Sequence, residues 1–153
     1  MSNIRFILDS TLGRLARYLR MLGYDAIYLE DAPSKRVIRE TLGTGRFLLT
    51  RTRELSQRND IDVYYVSSDK VLDQLSEINR VLGLHFTPDV MGRCISCNTP
   101  LETVEKEEVS ESLPRHVYRT QNSFSRCPDC GKVFWPGTHY ARIMDRLIKA
   151  LRD

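Results

Sequence analysis

Four cysteines constrain this chain more than anything else in its 153 residues. They fall in two pairs, Cys94-Ile-Ser-Cys97 and Cys127-Pro-Asp-Cys130. Two thiolates at that spacing grip one tetrahedral ion when the backbone between them turns tightly, and two such turns complete a four-thiolate site. Pro128 lies inside the second turn and Gly131 directly after it, residues that favour the bend and allow positive φ. Asn98 stands in the matching place after the first turn and tolerates the same conformation. Cys94, Cys97, Cys127 and Cys130 are therefore the predicted ligands of a structural Zn²⁺. Four protein thiolates close the coordination shell, so this ion would hold a small domain together and leave no open position for hydrolysis.

The competing uses of paired cysteines fit less well. A redox pair is expected beside a βαβ pattern, which lies elsewhere in this chain, and disulfides are rare in a reducing compartment. The 29 residues between the turns exceed the usual ribbon spacing of about 15 to 20 and imply an insertion. Leu101–Val104 and His116–Thr120 read as strands around the acidic segment Glu105–Glu111, whose opening run Glu105-Lys106-Glu107-Glu108 reads as a solvated face.

Ahead of the cysteines, short apolar runs alternate with helical patterns. Arg5–Leu8, Ala26–Leu29, Phe47–Thr50 and Val63–Ser67 read as strands. Leu12, Leu15, Ala16, Leu19 and Leu22 recur at helical spacing, starting at Ser10 or Thr11 and stopping at Gly23. Ser34–Leu42, a short stretch around Glu54–Arg58, and Val71–Leu82 are the other helices, the first closed by Gly43 and the last by Gly83. Strands alternating with helices predict a mostly parallel sheet covered on both faces. After the second cysteine turn, Ile143, Leu147 and Leu151 predict a C-terminal helix docked on the body.

A parallel sheet of this kind binds ligands at the carboxyl ends of its strands. Those ends carry Asp9, then Glu30 and Asp31, then Arg51–Thr52, then Asp69. Converging carboxylates bind Mg²⁺ or Mn²⁺, hard ions that orient water and stabilise charge on a cleaved phosphodiester. Asp is equally at home there as a helix cap, and both readings stay open. Arg14, Arg17 and Arg20 recur every third residue along the first helix, beside the leucine stripe. With Arg51 they are candidates for holding an RNA backbone; the alternative is that they are solvated or paired with acids such as Asp25. Charge is weighted to the front: residues 1–60 hold 11 Lys/Arg against 7 Asp/Glu, and residues 61–153 hold 12 against 13. The excess is a weak pointer to phosphate ligands.

The run Ile7-Leu8-Asp9-Ser10-Thr11-Leu12-Gly13-Arg14-Leu15-Ala16-Arg17-Tyr18-Leu19-Arg20-Met21-Leu22-Gly23 resembles the opening of the Mut-seven C-terminal ribonuclease family. Gly45-Arg46-Phe47-Leu48-Leu49-Thr50-Arg51, Ser67-Ser68-Asp69, the cysteine turns and Phe134-Trp135-Pro136-Gly137-Thr138-His139 resemble its later motifs. The resemblance covers nearly the whole chain. It implies an α/β fold: a PIN-like parallel-sheet domain (residues 1–90), then a four-cysteine zinc ribbon with a C-terminal helix (residues 91–153). It also implies a divalent-metal-dependent ribonuclease, in which Asp9 and Asp69 match metal-binding acids and Asp31 assists. The chain departs from the family where Thr52 replaces an aspartate usual after the Thr-Arg pair. A second departure is Pro33-Ser34-Lys35-Arg36, where acids are usual.

Two functions follow as expectations: a ribonuclease using Mg²⁺ or Mn²⁺, or a degraded RNA- or ribonucleoprotein-binding module of the same fold. A third use, protein interaction, would employ Phe134, Trp135 and Tyr140 as anchors, residues that equally suit packing of the ribbon's small core. No run is long and apolar enough to span a membrane, and Met1 to Arg5 is polar and charged. A cytoplasmic location is the default expectation.

Overall fold

The structure is a computed structural model that describes residues 4–85 and 92–152. The expected domain boundary between residues 90 and 91 falls in 86–91, outside the described residues. Four parallel strands, β1 (Phe6–Leu8), β2 (Ala26–Tyr28), β3 (Phe47–Thr50) and β4 (Val63–Tyr65), form a sheet in the order β2-β1-β3-β4. Alternation along the strands sends their side chains to two separate cores. Phe6, Leu8 and Leu49 meet Leu15 and Leu19 of α1 (Gly13–Met21) and Leu75 and Ile78 of α4 (Val71–Leu82). Ile7 and Leu48 face the other way, onto Val37 of α2 (Ser34–Thr44) and Leu55 of α3 (Arg53–Ser56). The sheet is covered on both faces, as the alternating pattern predicts.

Strand order places the site. The chain steps outward from β1 to β2, then crosses back to β3 on the other side of β1. The carboxyl ends of β1 and β3 therefore flank a topological switch point, where a crevice opens between diverging connections. Asp9 follows β1, and Thr50, the last residue of β3, is followed by Arg51 and Thr52.

The second unit is a three-stranded antiparallel sheet, β5-β6-β7, with β5 at Glu102–Val104, β6 at Phe124–Arg126 and β7 at Val133–Phe134. Its core is small: Val109, Val117 and Phe124, with Trp135 against them. One expectation changes here. His116–Thr120 is part of a helix, α5 (Arg115–Thr120), because Pro114 sets the entry conformation and Val117 turns inward at helical spacing. The acidic segment coils into a 3₁₀ stretch, Lys106–Ser112, that buries Val109 and exposes its acids.

Helix α6 (Thr138–Arg152) follows the ribbon but packs into the front core through Tyr140, Met144 and Leu147. Its carboxyl end is tied to α4 by Ser76 Oγ donating to the Ala150 carbonyl at 2.7 Å and Asn79 Nδ2 donating to that of Leu151 at 3.1 Å. Helix α2 runs past Gly43 and stops at Gly45, whose positive φ of 66° lets its N–H bond the Thr41 carbonyl. No helix among the described residues is long and apolar enough to cross a membrane.

The chain returns past the end of α1 so closely that a Cβ at Gly92 would lie 2.1 Å from the Gly23 Cα. Backbone meets backbone there and no side chain can yield. Gly92→Ala is therefore expected to lower the unfolding free energy by about 1–3 kcal/mol, the range for overpacking. Urea denaturation checks it, and an unchanged midpoint would contradict the close approach.

Candidate active site and metal centre

The cysteine turns come together as the spacing predicts. The four Sγ atoms lie within 4.8 Å of one another, and Cys94 Sγ to Cys130 Sγ is 3.8 Å. A tetrahedral ion with bonds of about 2.3 Å needs an S–S edge of about 3.8 Å, so the donor set fits a structural metal such as zinc. Asn98 has φ 66° and Gly131 φ 77°, the left-handed conformations that end the two turns. Each turn closes with a backbone bond of 2.9 Å, Asn98 N–H to the Cys94 carbonyl and Gly131 N–H to that of Cys127. Crowding sets the thiols against one another. Cys97 is pushed up to about 12, first by its hydrogen bond with Cys130 and then by burial. At Cys127 burial is outweighed by N–H groups of Cys130 and Asp129, which bring it to about 7. A divalent cation stabilises all four as thiolates.

The first cysteine turn is clamped to the edge strand β2. Asn98 Oδ1 accepts the Ala26 N–H at 2.9 Å, and Asn98 Nδ2 donates to Asp25 Oδ1 at 2.7 Å. Arg20 is buried: Nε donates to the Ala26 carbonyl at 2.8 Å and Nη1 to that of Ile95 at 2.8 Å. Arg46 completes the cluster with a bidentate pair to Asp25, at 2.7 and 3.2 Å. Burial would raise the Asp25 carboxyl, but Arg46 and Asn98 hold it below the ordinary carboxylate range. Arg20, expected beside Arg14 and Arg17 as a phosphate ligand, lines the second cleft with them while its Nε and Nη1 bond backbone carbonyls.

At the strand ends, Asp9 is 4% exposed and caps the 3₁₀ turn Ser10–Leu12 by accepting the Thr11 N–H at 3.0 Å. It also accepts the hydroxyls of Thr11 and Thr50, and that of Thr52 at 3.3 Å. Thr52, where the resemblance leads one to expect an acid, hydrogen-bonds this carboxylate. A cleft of about 280 Å³ is lined by Ser10 and Thr11, which follow Asp9 in the chain, and by Arg14, Tyr28, Arg51, Asp69 and neighbouring residues. Arg51 is held there by its N–H to Thr11 Oγ1 at 3.1 Å and Nη2 to the Ser67 carbonyl at 3.4 Å. A second cleft of about 350 Å³ shares Gly13, Arg14 and Tyr28 with the first and continues past Arg17 to Ile95 of the cysteine turn. Arg14 and Arg17 are exposed and have no carboxylate partner among the described residues.

The expected acids do not gather into one cluster. Among the described residues, the cysteines alone form a group of three or more His, Cys, Asp or Glu side chains with ligand atoms near enough to hold one ion. Asp69 lines the strand-end cleft, whereas Asp31 is exposed in the turn after β2 with φ 53° and does not line it. Asp31, Glu30 and Asp9 all act on Tyr28, whose hydroxyl is raised first by burial and then by those three charges.

The sequence reading missed Glu77. It lies in the buried stripe of α4 beside Gln74 and Ile78 and is 5% exposed. Its carboxylate accepts the Ser67 N–H at 2.9 Å, the Ser68 N–H at 3.1 Å, and both serine hydroxyls at 2.8 Å. These bonds fix the loop that presents Asp69. A carboxylate on an otherwise apolar helical face, ten residues after paired serines, was the available signal.

With this geometry in place the chain's relations are plain. The sequence pattern of the Mut7-C RNAse domain matches residues 4–147, nearly the whole chain, and the protein belongs to that ribonuclease domain family. No curated protein and no solved structure shows a significant match to it.

Burial would raise the Glu77 carboxyl, yet the serine donors and Tyr64 bring it to about 2 from the ordinary 4.5. A depressed folded-state pKa contributes stability that is full above about pH 4.5 and is lost as pH falls toward 2. The span corresponds to roughly 3 kcal/mol. Glu77→Gln should lack this part of the acid-side slope in denaturation measured from pH 5 to 2; parallel slopes in both proteins would refute the assignment. Cys127→Ser should abolish bound zinc by elemental analysis and flatten the near-ultraviolet signal of Trp135, since metal binding and ribbon folding are coupled. Retained metal in the variant would contradict the four-thiolate site.

Proposed function

We propose that this protein is a ribonuclease that takes single-stranded RNA along the continuous cleft, with the scissile phosphate at the strand-end crevice. The observation that carries this reading is that Asp69, Arg14 and Arg51 line one cleft together with Thr11, which hydrogen-bonds the buried Asp9. Arg14 and Arg17 line the second cleft with exposed guanidiniums that pair with no carboxylate among the described residues, the fork geometry that holds phosphate oxygens bidentately. Arg51, which also lines the strand-end cleft, is held in place by Thr11 and Ser67.

Mg²⁺ and Mn²⁺ need one or two protein carboxylates when waters and a substrate phosphate supply the other ligands. Asp9 and Asp69 would hold such an ion, and bound there it would supply an activated water and neutralise charge on the cleaved phosphodiester. The chain's own residues do the rest. Thr11, Thr50 and Thr52 orient the Asp9 carboxylate, Glu77 fixes the loop bearing Asp69, and the arginines position the backbone. The zinc is structural, held by the four cysteines, and takes no part in cleavage.

One observation favours the second reading, an RNA- or ribonucleoprotein-binding module. Asp69 is the one carboxylate among the residues lining the crevice, where a fuller acid cluster is expected, and Thr52 gives Asp9 a hydroxyl partner in place of a second charge. The two readings separate in one experiment. Wild type and Asp9→Asn are incubated with unstructured and structured RNAs with Mn²⁺ or Mg²⁺, and binding is followed by fluorescence anisotropy. A nuclease shows metal-dependent cleavage that falls at least 100-fold in Asp9→Asn with binding retained. Equal binding without cleavage in either protein would leave the binding module. Arg14→Ala should weaken binding and reduce the slope of log K against log salt by about 0.7, one phosphate contact on a single strand.

A further inference from the structure

A third cavity, of about 190 Å³, lies where the ribbon, α1 and α6 meet. Its walls are Met21 at the end of α1, Phe134 and Trp135 after β6, and His139, Tyr140 and Ile143 of α6. Nothing in the phosphodiester chemistry uses it. Trp135 is half-buried, with its ring 6.4 Å from that of Phe124, so the ribbon core holds the indole while the cavity keeps access to it. The cavity is smaller than a drug-sized site and suits one flat ring system.

Its surroundings are cationic. Met21 is one helical turn beyond Arg17 and seven residues beyond Arg14, so the three share a face of α1 that spans about 10 Å. On α6, His139, Arg142 and Arg146 are spaced three and four residues apart and are exposed, and neither arginine is in an ion pair among the described residues. An apolar aromatic slot set between two basic stripes matches a polyanion that carries flat rings. A protein side chain would fill the slot but has no use for the flanking charge.

We infer that this cavity takes one unstacked nucleobase of single-stranded RNA, a few nucleotides from the strand-end crevice, with Trp135 as its stacking surface. The inference rests on the RNA reading of the cleft and adds to it a fixed register: phosphates follow Arg14 and Arg17 along α1, and the base turns in past Met21. Stacking on an aromatic ring tolerates any base, so the site measures distance along the strand and does not read sequence.

Trp135 is the chain's one tryptophan, so its emission reports this cavity alone. The full-length, zinc-loaded protein is titrated, without added Mg²⁺ or Mn²⁺, with a short unstructured RNA labelled for anisotropy. The titration is repeated with oligonucleotides carrying one abasic residue moved position by position. Trp135 emission should be quenched in step with the anisotropy curve. One abasic position should abolish the quenching and raise Kd about 5- to 150-fold, the worth of one stacked base. His139→Ala, on the exposed rim, should weaken binding of the intact RNA and leave the abasic one unaffected. Anisotropy that reports binding while Trp135 emission stays constant, or an abasic scan that is flat in every register, overturns this inference and leaves the cleft reading standing. Absence of any anisotropy change removes the RNA reading itself, and this inference with it.

Discussion

The outward edge of β2 depends on two side chains from elsewhere. An edge strand presents unpaired N–H and C=O groups that must find partners or invite another chain. At Ala26 the N–H goes to Asn98 and the carbonyl to Arg20. The same Arg20 reaches the Ile95 carbonyl inside the first cysteine turn, and the same Asn98 reaches Asp25, which Arg46 also holds. Each bond to an ionised group contributes more than a neutral one, and leaving either partner unpaired costs its full desolvation. One cluster thus joins the first helix, the edge of the sheet and the metal turn. It also sets Ile95 as the far wall of the arginine cleft. The four-cysteine site and the arginine-lined cleft are consequently joined through one hydrogen-bonded cluster.

Two buried carboxylates organise the strand ends by the same means and to different effect. Asp9 and Glu77 are each surrounded by hydroxyls and backbone N–H groups. Glu77 accepts four bonds from the Ser67–Ser68 loop and one from Tyr64, and so holds that loop in place. Asp9 is held by one backbone N–H and three threonine hydroxyls, and one of those threonines, Thr11, also lines the strand-end cleft. Thr52 keeps the carboxylate oriented while adding no negative charge of its own. The crevice is therefore preorganised but weakly anionic, which favours phosphate approach and lessens the hold on a bare cation.

The three arginines of the first helix illustrate how spacing and position part company. A step of three residues falls about 60° short of a full turn, so Arg20 lies about 120° around the helix from Arg14. That rotation turns it to the seam with the cysteine turn, where it is 9% exposed though still among the residues lining the second cleft. Arg14 and Arg17 stay outside.

The sequence by itself determined the elements and the metal turns, because both are local. Helical spacing of leucines, apolar strand runs, and two cysteines with a tight turn between them each specify their structure within a few residues. Even the left-handed Asn98 and Gly131 were legible from chemistry at single positions. His116–Thr120 was misread because its β-branched and aromatic residues suit a strand, while Pro114 and the inward turn of Val117 made it helical. Only the tertiary structure decided what the functional side chains do. Thr50 and Thr52 meet Asp9 across 41 and 43 residues, Asn98 meets Ala26 across 72, and Arg20 meets Ile95 across 75. Asp31 lay at a strand end like the other acids, yet its left-handed turn leaves it outside the cleft that Asp69 enters. Hydrogen bonds and charge act over a few ångströms, and which groups come within that range is settled by strand order and packing, which no local pattern encodes.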